Sequence, residues 1–371
     1  MKNYLDDIQS TLLLGAGPSG VAPSTYSALS HTTLGHLDPY FVEIMDQIKM
    51  GLRTLMQTNN EVTVPLSGTG SLGMEATFVN TIEHGDKVLV LENGVFGTRM
   101  VDVADRLGAE VTHMKFDWGT PVVPQQVKDQ LQKDDYKIVA IVHAETSTGV
   151  RNPVAEIGEL VKDTGALYLV DAVTSLGGIP VKLDEWHVDV CYSGTQKCLS
   201  CPPGLAPVSF SDRAMEVIRN RQHKVPNWYV DLNLLTQYWG GSKRAYHHTA
   251  PINMVYALYQ AIYNILDEGM ENVFARHQAA HERLVTGLDK LGMSLLVEPE
   301  YRLPELNTII VPEGVDEVQL RARLLKDYHI EISAGLGALA GKVVRVGLMG
   351  YNATDYNVDR LLLAMAEILK N

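Results

Sequence analysis

Between about residue 60 and residue 215, apolar runs rich in β-branched residues alternate with stretches of helical pattern. The apolar runs lie at 87–91, 137–146, 166–175, 188–194 and 205–210. Two of the intervening stretches, FVNTIEHG and NPVAEIGELVKDTG, have the composition of helices. Strands that are apolar along their whole length and alternate with helices are typical of a mostly parallel sheet covered on both faces. The alternation therefore predicts an α/β fold.

Pro207 lies inside the last of these apolar runs. Because proline has no amide hydrogen, it removes one hydrogen bond from a strand ladder. The sequence therefore predicts that the strand at 205–210 lies at the edge of the sheet or carries a bulge.

The pattern changes after about residue 250, where two long helical stretches, MVYALYQAIYNILDEG and FARHQAAHERLVTGLDKLG, precede three short strand-like segments. A final helix is predicted to follow a cap at Thr354. Its apolar positions, spaced for one helical face, are Val358, Leu361, Leu362, Met365 and Leu369. We predict an N-terminal arm at 1–25, a large α/β domain at 26–260 and a smaller α+β domain at 261–371.

The overall charge limits the classes of partner. The chain has 371 residues and a formal net charge of −13 at pH 7. Nucleic acid and anionic membranes both favour a basic protein face, so neither is expected as a partner, although a local basic pocket for a small anion is compatible with this charge. The first residues carry acids where a signal peptide carries bases, and no apolar run reaches membrane-spanning length. We expect a cytoplasmic protein.

Three cysteines, Cys191, Cys198 and Cys201, lie close together in the sequence. An odd, clustered set does not indicate a disulfide framework. The C-x-x-C pair leaves a redox role open, whereas a zinc site would need a second ligand pair and none is near. We favour small buried side chains and predict no metal site.

Lys197 lies at the end of an apolar strand, in the segment YSGTQKCLSCPPGL, where Pro202 and Pro203 stiffen the following turn. Asp171 ends the preceding predicted strand, about one helix and one strand earlier. Ligands of open α/β sheets bind at the carboxyl ends of strands, so we expect both side chains at the same edge. The segment SGTGS at 67–71 precedes a helical stretch and offers hydroxyls and free amides to a phosphate, although such a glycine pattern alone is more often a capped turn.

A lysine, an aspartate and a phosphate cradle together fit pyridoxal 5′-phosphate. The lysine would form a Schiff base with the aldehyde, and the aspartate would pair with the pyridinium nitrogen, so that the ring withdraws electrons from a substrate carbanion. A dry, rigid setting also lowers the pKa of a lysine, which nucleophilic attack requires.

Motifs along nearly the whole chain resemble a known enzyme family. They are SGTGSLGMEA, NGVFGTR, HAETSTGV, VDAVTSLGG, YSGTQKCLSCPPG, YHHTAP and GKVVRVGLMGYNAT. From about residue 12, the sequence resembles the class V pyridoxal-phosphate aminotransferases of fold type I, closest to the alanine–glyoxylate and serine–pyruvate enzymes. The resemblance implies a ping-pong transfer of an amino group from alanine or serine to glyoxylate or pyruvate.

The resemblance also implies residue roles. Lys197 is the Schiff-base lysine, Asp171 faces the pyridinium nitrogen, and Arg345 binds the substrate carboxylate through two hydrogen bonds. The other cofactor-binding positions are Thr69, Gly70, Ser71, Phe96, Thr146, Gln196, Tyr246 and Thr249. Phe96, where relatives often have tryptophan, stacks on the ring. Tyr246 and Thr249 reach the phosphate from a neighbouring subunit, so the active unit is a homodimer.

Several alternatives stay open at this point. A pyridoxamine–pyruvate aminotransferase, which binds the unphosphorylated vitamer, is the nearest rival. Such an enzyme would tolerate an acidic residue in the 67–71 loop, but this loop has none, which favours a phosphate. A cysteine desulfurase is disfavoured because no cysteine follows Cys201. A non-catalytic binding protein on the same fold, or a nicotinamide-dependent oxidoreductase suggested by sheet topology alone, is a weaker alternative. Asp171 could instead cap a helix, and Arg345 could form a surface ion pair.

Overall fold

The computed structural model describes residues 1–240 and 244–370. Its strands are, in chain order, Leu12–Leu13 (β1), Val62–Ser67 (β2), Lys87–Glu92 (β3), Glu110–Lys115 (β4), Ile138–Val142 (β5), Ala144–Glu145 (β6), Val150–Arg151 (β7), Leu167–Asp171 (β8), Val190–Tyr192 (β9), Leu205–Phe210 (β10), Leu306–Ile310 (β11), Ile330–Glu331 (β12), Ser333–Ala334 (β13) and Val343–Gly347 (β14). Its α-helices are Pro23–Leu29 (α1), Pro39–Met56 (α2), Gly70–Thr81 (α3), Val95–Arg106 (α4), Pro124–Leu131 (α5), Val154–Val161 (α6), Asp212–Arg219 (α7), Leu232–Trp239 (α8), Ile252–Glu268 (α9), Met270–Lys290 (α10), Glu317–Tyr328 (α11) and Asp355–Lys370 (α12).

A seven-stranded sheet with the order β2-β10-β9-β8-β5-β3-β4 forms the centre of the molecule. Neighbouring strands are parallel except at β10, which is antiparallel to both β2 and β9. Every residue of β5 and β8 is buried. Because successive residues of a strand point to opposite faces, these strands must be covered on both sides. The predicted α/β fold class is confirmed.

The expectation for Pro207 is wrong. Its strand, β10, lies between β2 and β9, and the register places Pro207 opposite Pro65 of the outermost strand β2. The Pro207 carbonyl accepts a hydrogen bond from Ser193 N at 2.7 Å, just beyond the last residue of β9. The missing amide therefore falls where pairing with β9 ends, and an inner strand tolerates the proline.

A second, smaller core lies between the three-stranded sheet β11-β14-β13 and helices α10, α11 and α12. The buried residues of α9 belong to the large core, including Ala261 and Ile262 beyond the predicted limit at 260. In α10, Val273 packs in the large core and Ala280 in the small one. The change of core thus falls inside α10, while the domain limits themselves stay a prediction.

The N-terminal arm crosses from one core to the other. Its strand β1 pairs in parallel with β12, and Leu14 is fully buried in the small core. The predicted cap of α12 is confirmed, since Thr354 Oγ1 accepts a hydrogen bond from Asn357 N at 3.3 Å. Within residues 1–240 and 244–370, no helix combines the length and apolar character that a bilayer crossing requires.

Candidate active site

A cavity of about 180 Å³ opens at the carboxyl ends of the central strands. The predicted site residues that line it are Gly70, Ser71, Phe96, Thr146, Asp171, Gln196 and Lys197. Asp171 is the last residue of β8, and Lys197 follows β9, the next strand in the sheet. The structure therefore brings together, at one sheet edge, side chains that the sequence places on separate strands.

Lys197 is held by the N-terminal arm. It is 8% exposed, and its Nζ donates a hydrogen bond to the carbonyl of Ala16. Ser19 adds two contacts, because its Oγ donates to the Lys197 carbonyl at 2.6 Å and its amide donates to the Gln196 carbonyl at 2.8 Å. Gly17 has φ +103°, and a Cβ there would lie 2.5 Å from Lys197 Nζ, so glycine alone suits this position. Burial lowers the pKa of Lys197 to about 8, helped by the charge of Arg345.

Asp171 is 4% exposed and accepts two hydrogen bonds. Tyr192 Oη donates to its Oδ2 at 2.7 Å, and the amide of Val173 donates to its Oδ1 at 2.8 Å. Burial nonetheless raises the pKa of Asp171 to about 6. A buried carboxylate of this kind is stabilised by a cation that faces it, such as a protonated ring nitrogen.

The start of α3 has the features of an anion site. Thr69 is the N-cap residue, yet its side chain makes no capping hydrogen bond. The helix begins at Gly70, whose amide and that of Ser71 therefore lie at the positive end of the helix dipole. Gln196 lines the same cavity, and its side-chain amide nitrogen can donate hydrogen bonds to an anion. An uncapped helix start and the donor end of an amide side chain suit a phosphate group.

Arg345 approaches from the small domain. It lies in β14, is 6% exposed, and donates from Nε to the carbonyl of Ala334 at 2.8 Å and from Nη1 to that of Thr146 at 2.9 Å. No described carboxylate forms an ion pair with it, so a surface ion pair does not explain its position. Burial lowers the pKa of Arg345 to about 10. A buried guanidinium without an ionic partner is suited to an anionic ligand.

Four predicted site residues, Thr69, Arg345, Tyr246 and Thr249, do not line this cavity. Tyr246 and Thr249 are exposed, and their hydroxyls lie 3.3 Å apart. That placement leaves them free to act in a neighbouring subunit, which stays a prediction. The Thr146 hydroxyl does reach the cavity and lies 2.6 Å from that of Thr174.

Five residues that line the cavity were not predicted from the sequence, namely Met74, Arg99, Val142, Val173 and Tyr192, and two of them are polar. Arg99 lies three residues after Phe96 on α4, and its guanidinium carbon is 4.8 Å from the centre of the Phe96 ring. The i, i+3 spacing of an aromatic residue and an arginine on a helix is the signal that could have found it. Tyr192 faces Asp171 across the β8–β9 pairing, which no local pattern reveals.

The three cysteines are free and buried. Burial raises the pKa of Cys201 to about 12 and also raises the pKa values of Cys191 and Cys198 well above the ordinary thiol value. Thiols with such pKa values stay protonated at neutral pH and are poor nucleophiles. The structure thus supports the packing role and not a redox pair.

A sequence model of the family described as aminotransferase class-V matches residues 23–361. The chain belongs to the class V aminotransferases. An alanine–glyoxylate aminotransferase from Nostoc sp. is 48% identical and has a TM-score of 0.95, with 100% of both chains covered. A ureidoglycine–glyoxylate aminotransferase from Bacillus subtilis is 37% identical, with a TM-score of 0.96 over 98% of this chain and 94% of that one. Alanine–glyoxylate aminotransferase of Rattus norvegicus is 39% identical over 98% of this chain and 89% of its own.

Class V aminotransferases depend on pyridoxal phosphate, and the residues present fit that cofactor. The amine of Lys197 and the carboxyl of Asp171 face one cavity, which Phe96 closes on one side. The uncapped start of α3 and the amide side chain of Gln196 border the same cavity and offer hydrogen-bond donors of the kind a phosphate needs. The protein is therefore a pyridoxal-phosphate-dependent aminotransferase.

Proposed function

We propose that this aminotransferase moves the amino group of alanine or serine to glyoxylate or pyruvate in two half-reactions. The observation that carries the proposal is that Lys197 and Asp171 line one small cavity, while Arg345 contacts Thr146 of its lining and its charge helps to lower the pKa of Lys197. The similarity to alanine–glyoxylate aminotransferases over nearly the whole chain supports the choice of small substrates.

Bound pyridoxal phosphate supplies an electron sink for the carbanion that forms at the substrate Cα. Lys197 supplies the proton transfer, because its amine, once free, takes the proton from that Cα. A pKa of about 8 leaves a useful fraction of the amine neutral near neutral pH and still basic enough to accept a proton. The hydrogen bonds that Ala16 and Ser19 of the N-terminal arm form with Lys197 restrict the orientation of its side chain at the cavity.

Asp171 would supply the negative charge that pairs with the ring nitrogen of a bound cofactor. Its hydrogen bonds from Tyr192 and Val173 fix the carboxyl group and favour its ionised form. A fixed anion at this point stabilises a protonated ring nitrogen and so increases the electron demand of the ring.

Arg345 binds the substrate carboxylate. A guanidinium has five N–H donors, and two of those of Arg345 are used by the carbonyls of Ala334 and Thr146. These contacts fix the orientation of the guanidinium plane. The remaining N–H donors are available to bind a carboxylate through two parallel hydrogen bonds. Fixing the carboxylate orients the Cα–H bond relative to Lys197.

We further propose that the active unit is a homodimer in which Tyr246 and Thr249 reach the phosphate in the partner subunit. Their exposure supports this arrangement. An apolar groove of about 470 Å³ between α1, α2 and α9, lined by Tyr40, Tyr256 and Tyr259, offers a contact surface. A cytoplasmic location is part of the same proposal.

A matrix of donors and acceptors tests the substrate proposal. The purified enzyme is assayed with alanine, serine, ureidoglycine and pyridoxamine against glyoxylate, pyruvate and 2-oxoglutarate. We expect the highest kcat/KM for alanine or serine with glyoxylate or pyruvate, and no turnover by Lys197→Ala in any combination. A clear preference for ureidoglycine, for pyridoxamine or for 2-oxoglutarate would contradict the proposal.

A further inference from the structure

The helix that carries Phe96 is capped by residues outside it. Helix α4 begins at Val95, and its N-cap residue, Gly94, makes no side-chain capping bond. Instead, the amide of Val95 donates to Ser147 Oγ at 2.9 Å, and the amide of Gly97 donates to Glu145 Oε2 at 3.3 Å. Two of the free amides at the start of α4 are thus satisfied by the segment 145–147.

Glu145 and Ser147 also bind each other. The Ser147 hydroxyl donates to Glu145 Oε1 at 2.5 Å, and the Ser147 amide donates to the same oxygen at 3.1 Å. Both residues are fully buried. No described lysine or arginine forms an ion pair with Glu145, and burial raises the pKa of its carboxyl group to about 7. The hydrogen bonds from Ser147 and Gly97 hold this group at the positive end of the α4 dipole.

The close approach of the two segments depends on a glycine. A Cβ at Gly94 would lie 2.4 Å from Glu145 Cδ and 2.4 Å from Ser147 Oγ. Contacts this short do not occur, so any side chain at residue 94 would push the carboxyl group away. The motif NGVFGTR and the motif HAETST therefore meet at this point of the structure.

Phe96 lies between the two amides that this contact fixes. Its ring lines the cavity, and the guanidinium of Arg99 lies 4.8 Å from its centre. With the backbone held on both sides, the ring has little freedom to move away from the cavity. We infer that Glu145 and Ser147 are positioning residues, which hold Phe96 in place against the cofactor ring by capping α4 from a neighbouring segment. The inference rests on the proposed stacking of Phe96 but goes beyond the substrate proposal.

Cofactor affinity tests the inference without any substrate. The variants are Glu145→Gln, which keeps the side-chain volume but loses one acceptor oxygen, and Ser147→Ala. We expect each to weaken pyridoxal phosphate binding to the apoenzyme about tenfold, which is the upper end of the usual contribution of one hydrogen bond. Ser175→Ala is the matched control, because Ser175 is equally buried and its hydroxyl has no hydrogen-bond partner among the described residues. The control should bind the cofactor as the wild type does.

A double-mutant cycle separates positioning from a general loss of stability. In a Phe96→Leu background, Glu145→Gln should change cofactor affinity less than about twofold, because the residue through which it acts is gone. The circular dichroism of the bound cofactor should change in Glu145→Gln and Ser147→Ala alike, and Ser147→Ala alone carries the test if Glu145→Gln does not fold. Additive effects of Glu145→Gln and Phe96→Leu would overturn the inference and leave the stacking of Phe96 intact. An unchanged affinity in Phe96→Leu alone would instead refute the stacking on which it rests.

Discussion

Lys197 and Asp171 are placed by the ends of neighbouring strands of one sheet, whereas Arg345 is placed by contacts across the molecule. Asp171 ends β8, and Lys197 follows β9, its parallel neighbour. Arg345, in contrast, comes from the small domain and contacts Thr146, which is 199 residues away in the sequence. In the proposed mechanism, the proton-transfer groups are therefore placed mainly by one sheet and the N-terminal arm, while substrate recognition depends on how the two cores pack together.

The strongest test of the groups placed by the sheet is Lys197→Ala. We expect transamination and the visible absorbance of the covalently attached cofactor to be lost while the fold is retained, because no other described lysine lines the cavity. Activity, absorbance and circular dichroism of the protein measure this. Lys49→Ala is the matched control, since Lys49 is also a buried lysine but lies in α2, away from the cavity. Near-normal turnover by Lys197→Ala would refute the assigned site.

Asp171→Asn should have the next largest effect. The amide keeps the shape of the side chain but removes the anion, so a ring nitrogen facing it would lose its proton and accept less charge. We expect the cofactor to stay bound and proton abstraction to slow by several orders of magnitude in single-turnover measurements. A rate within about tenfold of the wild type, or about 1.4 kcal/mol, would contradict this role.

Arg345→Lys probes the group that depends on domain packing. Lysine keeps the positive charge but lacks the planar guanidinium group, which the carbonyls of Ala334 and Thr146 orient in the wild type. We expect kcat/KM for amino and keto acids to fall about 10- to 1000-fold, or about 1.4–4 kcal/mol, with unchanged cofactor absorbance. Amines without a carboxylate should be little affected. Loss of the cofactor, or an equal loss for such amines, would show that Arg345 is structural.

Glu305 gives a pH test of the packing between the domains. It precedes β11, is fully buried, and neither of its carboxyl oxygens has a hydrogen-bond partner among the described residues. Burial raises its pKa from 4.5 to about 8. The folded state then holds a proton that the unfolded state has released. The free energy of unfolding that Glu305 contributes therefore falls as the pH rises from about 4.5 through about 8.

Glu305→Gln should remove that dependence. Between pH 6 and pH 8, the free energy of unfolding of the wild type should fall relative to the variant by up to about 1.4 kcal/mol per pH unit. Urea unfolding of both apoenzymes at several pH values measures the difference, in which the other titrating groups cancel. A difference between the two proteins that is the same at every pH would show that Glu305 is not protonated in the folded state.

The same contrast explains how much the sequence could predict. Polar residues at the ends of apolar runs revealed Asp171 and Lys197, since strand ends are a local pattern. Strand β4 was missed because none of its residues is buried, and it therefore lacks a continuous apolar run. The cap on α4 joins Val95 to Ser147, 52 residues away, and the Ala16–Lys197 contact spans 181 residues. The expectation for Pro207 failed for the same reason, because only the register shows that it faces Pro65.

The smallest effect is expected at the arm, where Ser19→Ala removes one long-range contact to the Lys197 segment. The Ser19 hydroxyl is buried and donates to the Lys197 carbonyl at 2.6 Å, whereas the Ser19 amide bond to Gln196 survives the change. We expect a loss of about 1 kcal/mol in the free energy of unfolding, the usual value of one such bond. The KM for the substrates should hardly change, because Arg345 is untouched, while kcat should fall a few-fold as the Lys197 segment loosens. Urea unfolding and steady-state kinetics measure these changes.

Ser30→Ala is the control for Ser19→Ala, because the Ser30 hydroxyl is exposed and bonds only locally, to the carbonyl of Ser27. If both variants gave the same kcat, the arm would stabilise the fold without positioning the lysine.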